Sequence, residues 1–277
     1  MASQKSILIT GCSSGIGLDA ARGLRARGWR VFASCRAEVD CERLQAEGFE
    51  APRIDYADTA SITAAVTDVM RATGGTLEAL FNNGAFATPG AVEDLPTDAL
   101  RANFETNVFG WHELTRQVIP VMRAQGHGRI VNCSSVLGFV ALPWRGSYNA
   151  TKHALEGLTD TLRVEMRDTP IHVITIQPGP IGTKFRQNAI PHFERWIDWK
   201  ASARSAQYER RLIKRLYANS GPDPFELPPD AVTRKLIKAL ETANPRPHYK
   251  VTTPTYLMEG LRRTLPRRAL DWIIAKG

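Results

Sequence analysis

The chain has 277 residues, 43% apolar and 23% charged, a balance that excludes wholesale disorder and allows an ordinary globular core. A formal charge of +8 suits nucleic acid, a membrane surface, an anionic cofactor or simply a solvated basic surface. Cys12, Cys35, Cys41 and Cys133 form no CxxC pair or metal-ligand spacing, and neither a signal-like start nor an apolar run of ~18 residues is present, so a cytoplasmic protein with free thiols and no metal is expected.

From the start of the chain, short β-branched runs alternate with longer helical patterns, which predicts βαβ units and a parallel sheet. Predicted strands are Ser6–Thr10, Arg30–Ser34, Glu50–Ile54, Leu77–Asn82, Arg129–Cys133 and His172–Gln177, with a seventh at His248–Val251. Helical patterns lie between them at Gly15–Arg27, Ser61–Thr73, Thr97–Arg123 and Ser147–Arg167. Without internal repeats or low-complexity linkers, residues 1–277 read as a single α/β domain.

The pattern weakens after Gln177. Lys184–Leu216 is rich in Arg, Lys, Trp and Phe, and Gly221-Pro222-Asp223-Pro224 and Leu227-Pro228-Pro229 break the chain before a helix at Asp230–Thr242. A connection this long is expected to be a lid or binding segment, spanning about residues 184–228. Pro254–Lys276 predicts a basic helical extension, with Leu257, Leu261, Leu270 and Ile273 apolar and Arg262, Arg263, Arg267 and Arg268 charged. Such a helix also fits peripheral contact with a membrane surface.

The first predicted strand runs into Thr10-Gly11-Cys12-Ser13-Ser14-Gly15-Ile16-Gly17 and then at once into a helix. Glycines at 11, 15 and 17 let the backbone turn and approach a pyrophosphate, and the helix N-terminus aims free N–H groups at it. Further along, Tyr148-Asn149-Ala150-Thr151-Lys152 places a phenol and an ammonium on one helix face, thirteen residues after Ser135. A phenol with pKa near ~10 is a poor base at neutral pH, so a neighbouring cation that favours phenolate gives the spacing chemical meaning. A hydroxyl from Ser135, or from adjacent Ser134, would steady a developing alkoxide.

The TGxxxGIG loop, the serine and YxxxK together resemble the short-chain dehydrogenase/reductase family from Ser6 to Thr183, in the layout of its steroid- and retinoid-type, NADP-preferring branch. The resemblance implies a Rossmann-like, doubly wound parallel sheet of about seven strands with helices on both faces. It implies hydride transfer between a carbonyl and an alcohol, with Tyr148 as general acid/base, Lys152 beside it and on the nicotinamide ribose, and Ser135 on the substrate oxygen. Asn107 would complete the tetrad by ordering a relay water. Ser13, Ser14 and Ile16 belong to the phosphate loop, Asp55 fits the adenine contact, and Asn83 would line the adenosine side. In Pro178-Gly179-Pro180-Ile181-Gly182-Thr183, the backbone about Ile181 and the Thr183 hydroxyl would reach the carboxamide. Where NAD-preferring members carry an acid, Val31-Phe32-Ala33-Ser34-Cys35-Arg36 has Cys35 followed by a cation. Arg36 can pair with a 2′-phosphate, so NADP(H) is expected. One motif departs: Asn82-Asn83-Gly84-Ala85 reverses the family's Ala-Gly, leaving the local backbone path open.

On the catalytic helix Leu155, Leu158, Leu162 and Met166 form an apolar stripe, and Ala150, Ala154, Gly157 and Thr161 a small-residue stripe. The family's habit implies a homodimer through the Asn107 and Tyr148 helices. Phe185, Phe193, Trp196, Trp199 and Tyr208, with Pro143 and Trp144, are expected to wall a pocket for a hydrophobic ketone, aldehyde or alcohol, or else to be core. No nucleic-acid signature is present. A non-catalytic nucleotide-binding module on the same fold is the alternative, which loss of Tyr148 or Lys152 would have favoured.

Overall fold

The computed structural model describes residues 4–217, 221 and 223–276; Met1–Ser3 and Pro222 lie outside the described residues. Six strands, β1 (Ser6–Ile9), β2 (Arg30–Ala33), β3 (Ala79–Asn82), β4 (Gly128–Cys133), β5 (Ile171–Gln177) and β6 (His248–Lys250), form one sheet in the order β2-β1-β3-β4-β5-β6. Every pairing is parallel. Both faces of β1 and β3 are covered, which is why Ser6-Ile7-Leu8-Ile9 and Ala79-Leu80-Phe81-Asn82 are nearly unbroken apolar runs. The chain passes from β1 to β2 on one side and then crosses back to β3 on the other, so the direction of winding reverses at β1, and that reversal opens the crevice where Rossmann-like sheets bind ligands.

The helices are α1 (Gly15–Ala26), α2 (Glu38–Ala46), α3 (Thr59–Thr73), α4 (Thr97–Phe104), α5 (Gly110–Gln125), α6 (Gly146–Glu165), α7 (Phe185–Trp196), α8 (Ser205–Gln207), α9 (Lys214–Tyr217), α10 (Asp230–Glu241), α11 (Thr253–Thr264) and α12 (Arg267–Lys276). They flank the sheet on both faces, α1 packing on α10, α3 on α5 and α6 on β5. The α3 start is capped by Asp58, whose carboxylate accepts from Ala60 N and Ser61 N.

Three expectations change. Glu50–Ile54 is not a strand, so among the described residues the sheet has six strands rather than seven; only isolated bridges join Phe32 to Glu50 and Cys35 to Arg53. Pro52 has no N–H to continue the ladder. The single helix read from Thr97 to Arg123 is interrupted by a π-turn at Glu105–Phe109, and α2 was not foreseen. Of the apolar stripe on α6, Leu155 and Met166 are buried and Leu162 is half-buried, but Leu158 is exposed beside Ala150, Gly157 and Thr161.

The lid has its own core. Phe193, Ile197, Tyr208, Leu212 and Leu216 are buried together, with Trp144, Trp196 and Trp199 against them. Tyr208 anchors this cluster to the body: its hydroxyl donates to Asp94 Oδ2 at 2.8 Å and accepts from Ala91 N at 2.8 Å. Most of the lid aromatics thus fold the lid rather than wall the pocket. Among the described residues no helix is long and apolar enough to cross a membrane.

Candidate active site

A cavity of about 1080 Å³ opens at the carboxyl end of the sheet and runs from the phosphate loop, past Tyr148, to the lid. At one end Gly11 and Gly15 hold φ of +69° and +59°. A Cβ on Gly17 would stand 2.3 Å from the Gly11 carbonyl oxygen, so only glycine fits that crossing. Ser14 begins α1 without a side-chain cap and no acid sits in the first turn, which leaves its N–H groups free for an anion. Thr183 packs over this turn, within 3.0 Å of where a Cβ on Gly15 would be, and Gly179 has no room for one against Thr252. The glycine cradle, uncapped helix and Pro178–Thr183 turn therefore fit a dinucleotide laid across the strand ends.

The reversed Gly84-Ala85 pair has a clear path. Gly84 N donates to Thr10 Oγ1 at 3.2 Å and its carbonyl accepts from Trp111 Nε1 at 2.7 Å. Asn83 Nδ2 donates to Thr10 O at 3.0 Å, tying β3 to the phosphate loop. Beneath them Asn82 Nδ2 donates to Thr115 Oγ1 and Asn132 Oδ1 at 3.1 and 3.0 Å, and Asn132 Nδ2 donates to Thr159 Oγ1 on α6 at 2.9 Å. These buried polar groups satisfy one another and key the strands to the catalytic helix.

Tyr148, Lys152 and Ser135 all line the cavity. Lys152 is almost fully buried; its Nζ donates to Cys133 O at 2.7 Å and lies 4.3 Å from the Trp111 ring centroid and 5.5 Å from that of Tyr148. The carbonyl and the indole face stand in for lost water. Burial draws its ammonium down to about 8, against the pull of Cys133 and Glu156. Burial pushes the Tyr148 phenol well above its ordinary value, Cys133 adds to this, and Arg145 and a hydrogen bond with Ser135 oppose it. The phenol is therefore a protonated group in the free protein, and Lys152 here meets its ring. Ser135 Oγ accepts from Leu137 N at 3.1 Å, whereas Ser134 Oγ is buried without a partner; the link to Tyr148 favours Ser135.

Asn107 sits in the π-turn, and its side chain explains the interruption. Its Nδ2 donates to Phe86 O at 2.8 Å and Thr151 Oγ1 at 3.2 Å, while Oδ1 accepts from Phe86 N at 3.1 Å. Anchored from both sides, the turn widens rather than rotates. Asn107 does not line the cavity with the other three.

Arg36 is exposed just after β2, outside the cavity wall but close enough to His192 of α7 to lower the imidazole pKa after burial has done so. Arg53 Nε donates to Arg36 O at 3.1 Å, and Arg43 Nη2 to Ser13 O at 2.8 Å, so three arginines gather between the end of β2 and the phosphate loop. The nearby acid Asp40 is already paired with Arg43. Cys35 is buried and its thiol is pushed up to about 12 by burial, so it offers the crevice no charge. Asp55 is half-buried and accepts from Ala57 N at 3.1 Å, the role of a turn acid for one oxygen. Elsewhere Glu156, Asp160 and His248 come within 4.8 Å of one another, but Glu156 accepts from Gln177 and Asp160 is paired with Arg163.

Of the expected pocket aromatics only Phe185 lines the cavity, its ring 5.2 Å from that of Tyr148; Pro143 and Trp144 do not. The sequence reading missed Leu137, Val140, Leu142, Leu216, Met258 and Arg145, which do. It also missed Trp111, which no motif marks.

The chain matches the short chain dehydrogenase family over residues 5–193. It belongs to that family. It is 38% identical to the uncharacterized oxidoreductase YbbO of Escherichia coli over 98% of this chain and 94% of the relative. It is 28% identical to an NADPH-dependent 3-dehydrocapnine reductase of Ornithobacterium rhinotracheale, over 97% and 95% of the two chains. A short-chain dehydrogenase/reductase from Burkholderia phymatum, solved in complex with NAD, superposes with a TM-score of 0.78 at 25% identity, covering 94% of this chain and 92% of that one. This protein is accordingly an oxidoreductase of the short-chain dehydrogenase type, acting between an alcohol and a carbonyl with a nicotinamide cofactor.

The buried ammonium has a measurable signature. Between about 8 and the ordinary lysine value of 10.5, the unfolded chain keeps a proton that folded Lys152 has released, so stability rises with pH there. Lys152→Met lacks this contribution. Urea unfolding across that range should show the wild-type-minus-variant difference growing by up to about 3 kcal/mol; a flat difference contradicts the account.

Proposed function

We propose that the protein is an NADP(H)-dependent carbonyl reductase in which Tyr148 passes a proton to the substrate oxygen as hydride reaches its carbon. The observation that carries this reading is that Tyr148, Lys152 and Ser135 line the same cavity as a glycine cradle fit for a dinucleotide. The nicotinamide, when bound, supplies or accepts the hydride. Tyr148 then gives its proton and becomes a phenolate, which Lys152 and Arg145 stabilise as nearby positive charges. Ser135 donates to the same substrate oxygen while negative charge develops on it. Asn107, behind Thr151, holds the helix register and takes the relay-water position.

The preference for NADP(H) rests on Arg36, with Arg53 held against its carbonyl, Arg43 on the phosphate loop and an uncharged Cys35 just past the end of β2. The NADPH dependence in the name of the Ornithobacterium relative agrees with this. The apolar part of the wall, Leu137, Val140, Leu142, Phe185, Leu216 and Met258, suits a hydrophobic carbonyl compound. Because Pro254 and Met258 of α11 help to line the cavity, we read that helix as a wall rather than a membrane anchor.

A homodimer through α5 and α6 accounts for the outward face of α6, where exposed Leu158 and Val164 flank small residues, and for exposed Phe109 at the start of α5.

Three measurements test the reading. With NADPH and a medium-chain aldehyde, Tyr148→Phe should lose about 10²- to 10⁴-fold in kcat; full turnover would overturn the mechanism. Wild type should show a higher kcat/KM for NADPH than for NADH, and Arg36→Ala should narrow that ratio by about tenfold or more; an unchanged ratio removes Arg36 from cofactor choice. Light scattering at micromolar protein should give a dimer that Leu158→Glu converts to monomer, and a monomeric wild type would refute the dimer.

A further inference from the structure

The substrate end of the cavity carries more positive charge than hydride transfer uses. Arg145 stands three residues before Tyr148, at the start of α6. Trp144 before it has a φ of +65°, a left-handed backbone that costs a non-glycine residue of order 1 kcal/mol or more. Two contacts hold that shape: Gly90 N donates to Trp144 O at 2.9 Å, and the Trp144 ring packs on Tyr208 at 4.8 Å between centroids. With Trp144 turned into the lid core, Arg145 is left lining the cavity next to Tyr148.

Its cationic neighbours Arg186 and Arg215 are paired, and among the described residues Arg145 is not. Arg186 and Arg215 line the same region and share Asp223, at 2.7 and 2.9 Å. Glu226 accepts from Asp223 N at 3.3 Å. Among the described residues no hydrogen bond holds the Arg145 guanidinium, and no carboxylate comes within ion-pair distance of it. Burial, reinforced by Arg215 and Arg186, draws it down to about 10, against the weaker pull of Asp223 and Tyr148. Asp223 is already shared by two other arginines, and a half-buried cation without a paired carboxylate of its own is costly; an incoming anion removes the cost. Around the whole cavity, six cations (Arg22, Arg145, Lys152, Lys184, Arg186, Arg215) face three carboxylates (Asp19, Asp223, Glu226).

We infer that the substrate carries an oxyanion (carboxylate, sulfonate or phosphate) near its carbonyl group, and that Arg145 binds this anion through its forked N–H groups. The inference rests on Tyr148 as the proton donor, because that assignment decides which end of the cavity receives the carbonyl. With Leu137, Val140 and Met258 lining the rest, the substrate class narrows from a hydrophobic carbonyl to an acidic amphiphile.

The test compares NADPH-dependent reduction of an oxo carboxylate, the matching oxo sulfonate and oxo phosphonate, and the uncharged oxo amide of equal length. Wild type should favour at least one anion over the amide by about 10- to 100-fold in kcat/KM, chiefly through KM. The ratio should fall close to one in Arg145→Met and recover in part in Arg145→Lys. Which of the three anions leads identifies the group. Three results would overturn the anion site: equal wild-type efficiency on acid and amide; a preference that survives Arg145→Met; or a variant that raises KM for NADPH and slows charged and uncharged substrates alike. The last would make Arg145 a cofactor contact, whereas a pH-profile shift common to all substrates follows from its place beside Tyr148 and leaves the acid-to-amide ratio to decide. All three leave the reductase reading standing. Failure to consume NADPH with any carbonyl, including a simple aldehyde, would instead defeat that reading. Calorimetry of the NADPH-loaded wild type then decides the anion site separately: binding of an acid but not the amide supports it, and no binding of any acid overturns it.

Discussion

An ammonium buried under the strand ends organises this site. Lys152 has exchanged water for one carbonyl oxygen, that of Cys133, and the face of Trp111. Neither would serve if β4 or α5 moved by an ångström, so the positions of both follow from it. Cys133 is the last residue of β4, and Trp111 follows the π-turn that carries Asn107. Gly110, which precedes Trp111, lies so close to Tyr56 that a Cβ there would come within 2.4 Å of the Tyr56 backbone oxygen. The same Tyr56 hydroxyl lies 2.7 Å from Thr10 Oγ1 at the head of the phosphate loop. One chain of contacts therefore joins the loop fit for the cofactor to the lysine fit for the chemistry.

That connection gives the fold a functional logic. Sheet order opens a crevice at β1, and a ladder of buried amides and hydroxyls (Thr10, Asn82, Asn132, Thr159) sets the register between the strands and α6. Tyr148 is then delivered to the cavity by a helix whose inner face is keyed to the sheet and whose outer face leaves Leu158 and Val164 exposed. The substrate end is built differently. Its lid is held by a separate aromatic core centred on Tyr208, linked to the body through Asp94, Ala91 and Trp144. The lid can thus vary without disturbing the reaction centre.

What was readable in the chain follows the range of the interactions involved. The glycine loop and the Tyr148–Lys152 spacing were legible because close approach and helical periodicity act over a few residues. The third strand was misread because Pro52 removes a ladder donor from an otherwise β-like run. The π-turn at Asn107 was invisible, since its cause is a clasp with Phe86 and Thr151, which are distant in sequence. Phe193, Trp196, Trp199 and Tyr208 fitted a pocket and a core equally well as a pattern, and only the folded lid separates the two. Trp111 and Arg145 belong to no motif. Their importance comes from what surrounds them: a buried ammonium in one case, and in the other a nearby carboxylate, Asp223, already shared by two other arginines.

The chemistry assigned to this cavity is hydride transfer between a nicotinamide and a carbonyl carbon. Reduction of a medium-chain aldehyde with NADPH deuterated at the transferring C4 position, followed by mass spectrometry of the alcohol, tests it most directly. Deuterium on the carbinol carbon is the predicted result. Alcohol formed without deuterium from NADPH labelled on either face of the ring would contradict it.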